Sequence, residues 1–247
     1  MSPLTGARPI RAVIFDLDNT LYDFMSAKNQ AIRAAIDAMI DAGLRMTHEE
    51  AYRRIFGIYD LKGIEYQKVF NAFLQEVTGR VDDRMLAAAV VAYRRSRDGT
   101  LVLYPHALST LNTLLKEGYG LAVLSDAPRF EAWIRLCMLR LHHVFNVVLT
   151  FDDTGHRKPR PEPFRLALER LGVAASEAVM VGDWPARDIA GAAELGIHTV
   201  YARYGDTYQT PDRPPEERPE ADFVIDDLGQ LLDVLDRLNG VAEGGRR

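Results

Sequence analysis

Residues 10–21 read Ile10-Arg11-Ala12-Val13-Ile14-Phe15-Asp16-Leu17-Asp18-Asn19-Thr20-Leu21. The short apolar run from Ile10 to Phe15 suits a strand buried on both faces, as in a parallel sheet. It ends at Asp16, and a second carboxylate follows two residues on. Two carboxylates at the carboxyl end of a strand can face one small volume, where they repel unless a cation or a shared proton relieves them. Oxygen donors of this kind fit a hard cation: Mg²⁺ takes one or two carboxylates and keeps waters and substrate phosphate around it. Taken alone, the same residues also read as a turn in which Asp and Asn cap the next segment.

Helical patterning comes next. Ala27 to Ala42 carries Ile32, Ile36, Met39 and Ile40 at three- and four-residue spacings and closes at Gly43. Thr47-His48-Glu49-Glu50 reads as a capping box opening a second helix. Glu65 to Val77 and Asp82 to Arg97 read as a third and a fourth. From Pro105 the pattern changes to alternation. Helices are expected at Pro105–Glu117, Arg129–Leu141, Glu162–Leu171 and Ala186–Leu195, with strands at Tyr119–Leu124, Phe145–Leu149, Ala178–Val181 and Ile197–Tyr201. A polar loop with Pro211, Pro214, Pro215 and Pro219 reads as irregular, and Asp222–Ile225 and Leu228–Leu238 add a last strand and helix. Such alternation argues for α/β architecture, a parallel sheet with helices on its faces. The reading is therefore a core of residues 1–21 and 104–240, an inserted four-helix block at 22–103, and a frayed tail at 241–247. The insertion leaves from the strand edge where open parallel sheets bind ligands, so it is expected to act as a lid.

Composition narrows the functional classes. The 247 residues can bury a sizeable core without disulfides. The single cysteine, Cys137, excludes an internal disulfide and a Cys-based zinc cluster and suits a reducing cytoplasm. No apolar stretch approaches the roughly 20 residues needed to cross a bilayer, so no membrane partner is expected, and the first eight residues lack the apolar core of a signal peptide. A net charge of −5 gives no footprint for nucleic acid. Of 30 basic residues only five are lysines: Lys28, Lys62, Lys68, Lys116 and Lys158.

Three further clusters fall at expected strand ends. Val123-Leu124-Ser125-Asp126 closes a buried strand with a hydroxyl able to donate to an anionic oxygen. Lys158-Pro159-Arg160-Pro161-Glu162-Pro163 fixes a lysine, a point charge suited to phosphate or carboxylate, in a proline-stiffened turn. Val181-Gly182-Asp183-Trp184-Pro185-Ala186-Arg187-Asp188 delivers one carboxylate at a strand end and another near the first turn of the next helix. Each has a plain structural explanation, such as a helix cap or a dipole partner. Four acidic residues, a hydroxyl and a lysine on one sheet edge read jointly as a metal and phosphate site.

This ordered set resembles the haloacid dehalogenase superfamily, in particular its Mg²⁺-dependent phosphatases, over residues 10 to 235. Motif I resembles Asp16–Leu21, motif II Ser125-Asp126, motif III the Lys158-Pro159 run and motif IV Gly182–Asp188. The resemblance implies a Rossmann-like core with a helical C1 cap. It implies Asp16 as nucleophile, forming an aspartyl-phosphate, and Asp18 as general acid and then base. It implies Mg²⁺ on the Asp16 carboxylate, the Asp18 main-chain carbonyl and Asp183, with Asp188 behind them. Ser125 and Asp126 fall at the substrate-binding motif, where Asp126 replaces the more usual Asn and adds negative charge. Lys158 would position both nucleophile and phosphate.

The expected activity is hydrolysis of a small phosphate ester. A phosphomutase of the β-phosphoglucomutase type shares Asp16 and Asp18 and is the alternative. A 2-haloacid dehalogenase ranks lower because a halide leaving group needs no acid, and a non-catalytic phosphate-binding protein ranks lower because degenerate members lose residues that are intact in this chain.

Overall fold

Ala12–Phe15 form β1, and all four side chains are buried. The computed structural model describes residues 10–206 and 220–240. The proline-rich stretch at 207–219, the first nine residues and the tail at 241–247 lie outside the described residues.

Among the described residues six parallel strands lie in the order β3-β2-β1-β4-β5-β6. They are β1, β2 (Gly120–Leu124), β3 (Val147–Leu149), β4 (Ala178–Gly182), β5 (His198–Ala202) and β6 (Phe223–Ile225). This is a doubly wound order, with the chain running outward on both sides of β1 and β4. Register sets which side chains meet at the carboxyl edge. Phe15 pairs with Val123 on one side and Val181 on the other, so Asp16, Ser125 and Asp183 emerge close together past the same edge. On one face of the sheet Ile14, Ala122, Leu124 and Met180 pack with Phe164, Ala167 and Ala192. Because neighbouring strands are themselves buried, the sequence carries runs of apolar residues and no alternation.

The helices of this body are α5 (Ala107–Lys116), α6 (Arg129–Met138), α7 (Phe151–Thr154), α8 (Pro161–Leu171), α9 (Ala190–Ala193) and α10 (Leu231–Leu238). Two depart from the sequence expectation, the short α7, which was not anticipated, and the segment before α9. In place of a regular helix from Ala186, Pro185–Ile189 form a single π turn before α9. Pro185 supplies no N–H at the start, and the wider turn lets Asp188 fold back so that its Oδ2 accepts the Trp184 N–H at 2.9 Å. Gly182 makes room for it, since a Cβ there would lie 2.4 Å from Asp188 Cγ.

A second compact unit spans Phe24–Leu101, set between Asp23 and Val102 of the first. Its helices are α1 (Phe24–Asp41), α2 (His48–Lys62), α3 (Val69–Thr78) and α4 (Asp83–Thr100). Thr47 caps α2, its hydroxyl accepting the Glu50 N–H at 3.3 Å. Ile32, Ile36 and Met39 are fully buried with Ile55, Phe73 and Leu74, whereas Ile40 is only partly buried. Lys28 belongs to this unit but does not lie at its surface. It is buried, donates to the Ile64 carbonyl at 2.9 Å and lies 4.4 Å from the centroid of the Tyr59 ring. Position 28 continues the buried stripe of Phe24, Ala31 and Ile32, and the carbonyl and ring face replace part of the lost hydration.

Candidate active site

The turn after β1 builds the centre of the site. Asp16 N–H donates to the Val181 carbonyl at 2.9 Å, which extends the ladder one step past the strand. Asn19 then takes a left-handed conformation at φ 61°, tolerated by a short polar side chain, and Leu21 N–H closes the turn on Leu17. Gly205 passes so close that a Cβ there would sit 1.8 Å from the Asn19 carbonyl oxygen and 2.8 Å from Asp183 Cβ. Thr20, fully buried, ties the two central strands together. Its Oγ1 lies 3.3 Å from both Asp16 Oδ2 and Asp183 Oδ1 and accepts the Asp183 N–H at 3.1 Å.

Lys158 reaches this centre from the loop before α8. Its side chain is 3% exposed, and its ammonium meets Asp16 Oδ1, Asp188 Oδ1 at 2.7 Å and the Leu124 carbonyl at 3.0 Å. The contacts with Asp16 and the Leu124 carbonyl are hydrogen bonds, and the contact with Asp188 is an ion pair. Burial pulls the ammonium pKa down, but the charges of Asp16, Asp188 and Asp126 outweigh it and the net direction is up. Asp16 moves up as well: burial drives it, Lys158 opposes it, and Asp188, Asp183 and Asp18 add to it.

Carboxylate oxygens of Asp16, Asp183 and Asp188 all lie within 4.8 Å of one another, and all three residues are buried. Three carboxylates around one ammonium leave a buried excess of negative charge, which is costly unless a cation offsets it. The donors are hard oxygens, so the residues fit Mg²⁺. Asp188 already spends both oxygens on Lys158 and the Trp184 N–H, which suits a place behind the ligands.

The remaining predicted residues divide. Ser125, 3% exposed, accepts the Ala127 N–H at 3.2 Å, which leaves its own proton for a ligand oxygen. Asp126 turns toward the protein: Oδ1 accepts the Lys158 backbone N–H at 3.0 Å, and Oδ2 faces Arg187 Nη1 at 3.4 Å. Arg187 in turn stacks on Trp184, 3.6 Å from the ring centroid. The acidic charge anticipated near the phosphate is therefore engaged in joining the three loops.

Asp18 is held at both oxygens. The Tyr22 hydroxyl donates to Oδ1, and Arg135 Nη1 donates to Oδ2 at 2.7 Å. Arg135, on α6, was not anticipated from the sequence. Its one signal is position, since it is a charge between Ala132 and Leu136 on the buried side of that helix.

A doubly wound parallel sheet with a lysine locked among carboxylates at the central crevice defines an α/β enzyme built to handle an anionic group. The model of the haloacid dehalogenase-like hydrolases matches residues 10–196. Glyceraldehyde 3-phosphate phosphatase of Methanothermobacter thermautotrophicus is 36% identical over 92% of this chain and all of that protein. Ribulose-1,5-bisphosphate 5-phosphatase of Halopiger xanaduensis is 34% identical over 91% of this chain and 98% of that one. Among solved structures, a haloacid dehalogenase phosphatase from Thermococcus onnurineus superposes with a TM-score of 0.66 at 27% identity, covering 92% and 98% of the two chains. The chain belongs to the haloacid dehalogenase-like hydrolases. Within that family it is a phosphatase, and hydrolases of this family generally use Mg²⁺. Among the described residues no helix is long and apolar enough to cross a membrane.

Proposed function

We propose that the chain is an Mg²⁺-dependent phosphatase of small phosphorylated sugars and related metabolites, with a triose phosphate as the first candidate substrate. The observation that carries this reading is the Lys158 ammonium lodged between Asp16 and Asp188, beside Asp183, at the carboxyl ends of β1 and β4. The substrate class rests on the relatives, whose names specify glyceraldehyde 3-phosphate and ribulose 1,5-bisphosphate.

In the proposed chemistry Asp16 attacks phosphorus, the ester P–O bond breaks, and the leaving oxygen takes a proton from Asp18. Asp18 then takes a proton from water as that water attacks the aspartyl-phosphate, releasing phosphate and restoring Asp16. General acid–base help of this kind contributes roughly 10²–10⁴-fold. Lys158 holds Asp16 in line and Ser125 donates to a phosphoryl oxygen. When bound on Asp16, the Asp18 main-chain carbonyl and Asp183, with Asp188 behind, Mg²⁺ neutralises phosphate charge that would otherwise repel the nucleophile. Asp126 is reassigned from substrate contact to positioning, because its carboxylate anchors the Lys158 loop.

The proposal also keeps the division into a core of 1–21 and 104–240 and an inserted helical block at 22–103, supported by the two compact units of the chain. A cytoplasmic setting belongs to it too, supported by a free, exposed Cys137. The test is phosphate release by the purified protein with Mg²⁺ across triose, pentose and hexose phosphates, phospho-acids and nucleotides. Highest kcat/KM on a triose or pentose phosphate is expected. Absence of release from every member would overturn the reading.

A further inference from the structure

We propose that Tyr22 and Arg135 are a positioning pair that aims the Asp18 carboxylate at the leaving oxygen. This rests on Asp18 serving as the general acid of the proposed phosphatase.

Asp18 sits on a turn, and its side chain keeps partial exposure of 21%. A carboxylate so placed has several staggered rotamers open to it, whereas proton transfer needs the donor within hydrogen-bond reach of one oxygen. Two donors remove that freedom. The Tyr22 hydroxyl takes Oδ1 from one turn along the same segment, and Arg135 Nη1 takes Oδ2 from α6, 117 residues away in sequence.

Neither donor is loose. Tyr22 is fully buried, and its backbone bridges Asp18 on one side and Leu103 on the other. Arg135 is 7% exposed and lies beside Ala132 and Leu136. A guanidinium on the buried side of a helix is costly to desolvate, and ending on a carboxylate offsets that cost. Each carboxylate oxygen has two lone-pair directions, so these two donors alone do not use up the capacity of Asp18 to carry the transferred proton. During the step the ester P–O bond breaks, its electron pair stays on the leaving oxygen, and the Asp18 proton joins that oxygen. The pair touches neither the phosphate nor the leaving group. It acts through Asp18.

The discriminating measurement is the ratio of kcat/KM for an alkyl phosphate to that for p-nitrophenyl phosphate. kcat/KM reports formation of the phosphoenzyme, and a nitrophenolate leaves without an acid whereas an alkoxide requires one. Asp18→Asn, Tyr22→Phe, Arg135→Lys and Arg135→Gln are compared with the unaltered chain. The ratio is expected to fall on the order of 10²-fold or more in Asp18→Asn, and about tenfold or more in Tyr22→Phe and Arg135→Lys, as a misaimed group would give. Tyr22→Phe keeps the buried ring, so the test survives if an Arg135 variant fails to fold. An unchanged ratio in Asp18→Asn would overturn the acid assignment and the inference with it. A shifted ratio in Asp18→Asn, with both esters affected equally in Tyr22→Phe and Arg135→Lys, would overturn the inference alone.

Discussion

Replacing Lys158 by arginine keeps the positive charge and tests whether the geometry around the ammonium matters. The Lys158 side chain is 3% exposed, and its ammonium hydrogen-bonds Asp16 and the Leu124 carbonyl and pairs in charge with Asp188. A planar guanidinium is larger and sends its donors out in a flat fork, so it cannot reproduce three oxygens converging on one atom. Forcing the larger head into this space costs about 1–3 kcal/mol of stability, as overpacking of a tight interior does. Relief comes by pushing Asp16 aside, and a displacement of roughly 1 Å at a reacting group costs on the order of 10²-fold. At about 1.4 kcal/mol per decade that is close to 3 kcal/mol of transition-state stabilisation. The assay is kcat/KM for p-nitrophenyl phosphate with saturating Mg²⁺, beside the thermal midpoint of the same preparation. The expected result is a fall of about 100-fold or more with a folded protein. Activity within about threefold of the unaltered chain would refute the reasoning, because charge alone would then suffice. Lys158→Met gives a different signature, leaving two buried carboxylates without their ammonium and costing about 3–5 kcal/mol of stability at neutral pH.

Mg²⁺ should stabilise the protein more as pH rises. Burial, opposed by Lys158 but supported by neighbouring carboxylates, raises the Asp16 pKa, so the folded metal-free protein keeps a proton the unfolded chain has released. Its stability is therefore full below the ordinary Asp value and declines as pH climbs through the raised one. The Mg²⁺-induced shift in thermal midpoint should grow as pH rises above the ordinary Asp value, and a shift independent of pH would contradict the Asp16 assignment. Asp126→Asn keeps an acceptor for the Lys158 N–H, loses a partly exposed ion pair worth about 0–1 kcal/mol, and leaves the larger charges of Asp16 and Asp188 to hold the ammonium, so near-normal turnover is expected. Asp126→Ala removes that acceptor, and steady-state kinetics should show kcat lowered about tenfold or more, as a displaced loop gives; equal behaviour of the two variants would refute the anchoring role. Gly205→Ala would drive a methyl group into the Asn19 carbonyl oxygen, and calorimetry should register at least about 1–3 kcal/mol of destabilisation.

Much of the site was legible because its residues are tied to strand ends. An apolar run followed by Asp is readable wherever it occurs, and the ladder then places Asp16 and Asp183 side by side without further information. Lys158 stood out through lysine scarcity and through the prolines beside it. Arg135 was not legible, since its meaning depends on a partner 117 residues earlier. The destination of the Asp126 carboxylate was hidden for the same reason, because Arg187 and the Lys158 N–H arrive from separate loops. The π turn at Pro185–Ile189 has a helical sequence pattern, and only the return of Asp188 toward Trp184 shifts its hydrogen bonding. Lys28 lies on the buried stripe of α1, where spacing points inward although charge points to the surface.

The central claim is that Asp16 becomes phosphorylated during turnover. In the Asp18→Asn variant the aspartyl-phosphate should form from an aryl phosphate and break down slowly, because water lacks its base. Acid quenching and then peptide mass spectrometry reads the modified residue directly. The account predicts a phosphoryl group on Asp16, absent when Asp16 is also replaced by Asn. Phosphate on a different residue would contradict it, as would phosphate release by the unaltered chain that persists after Asp16→Asn.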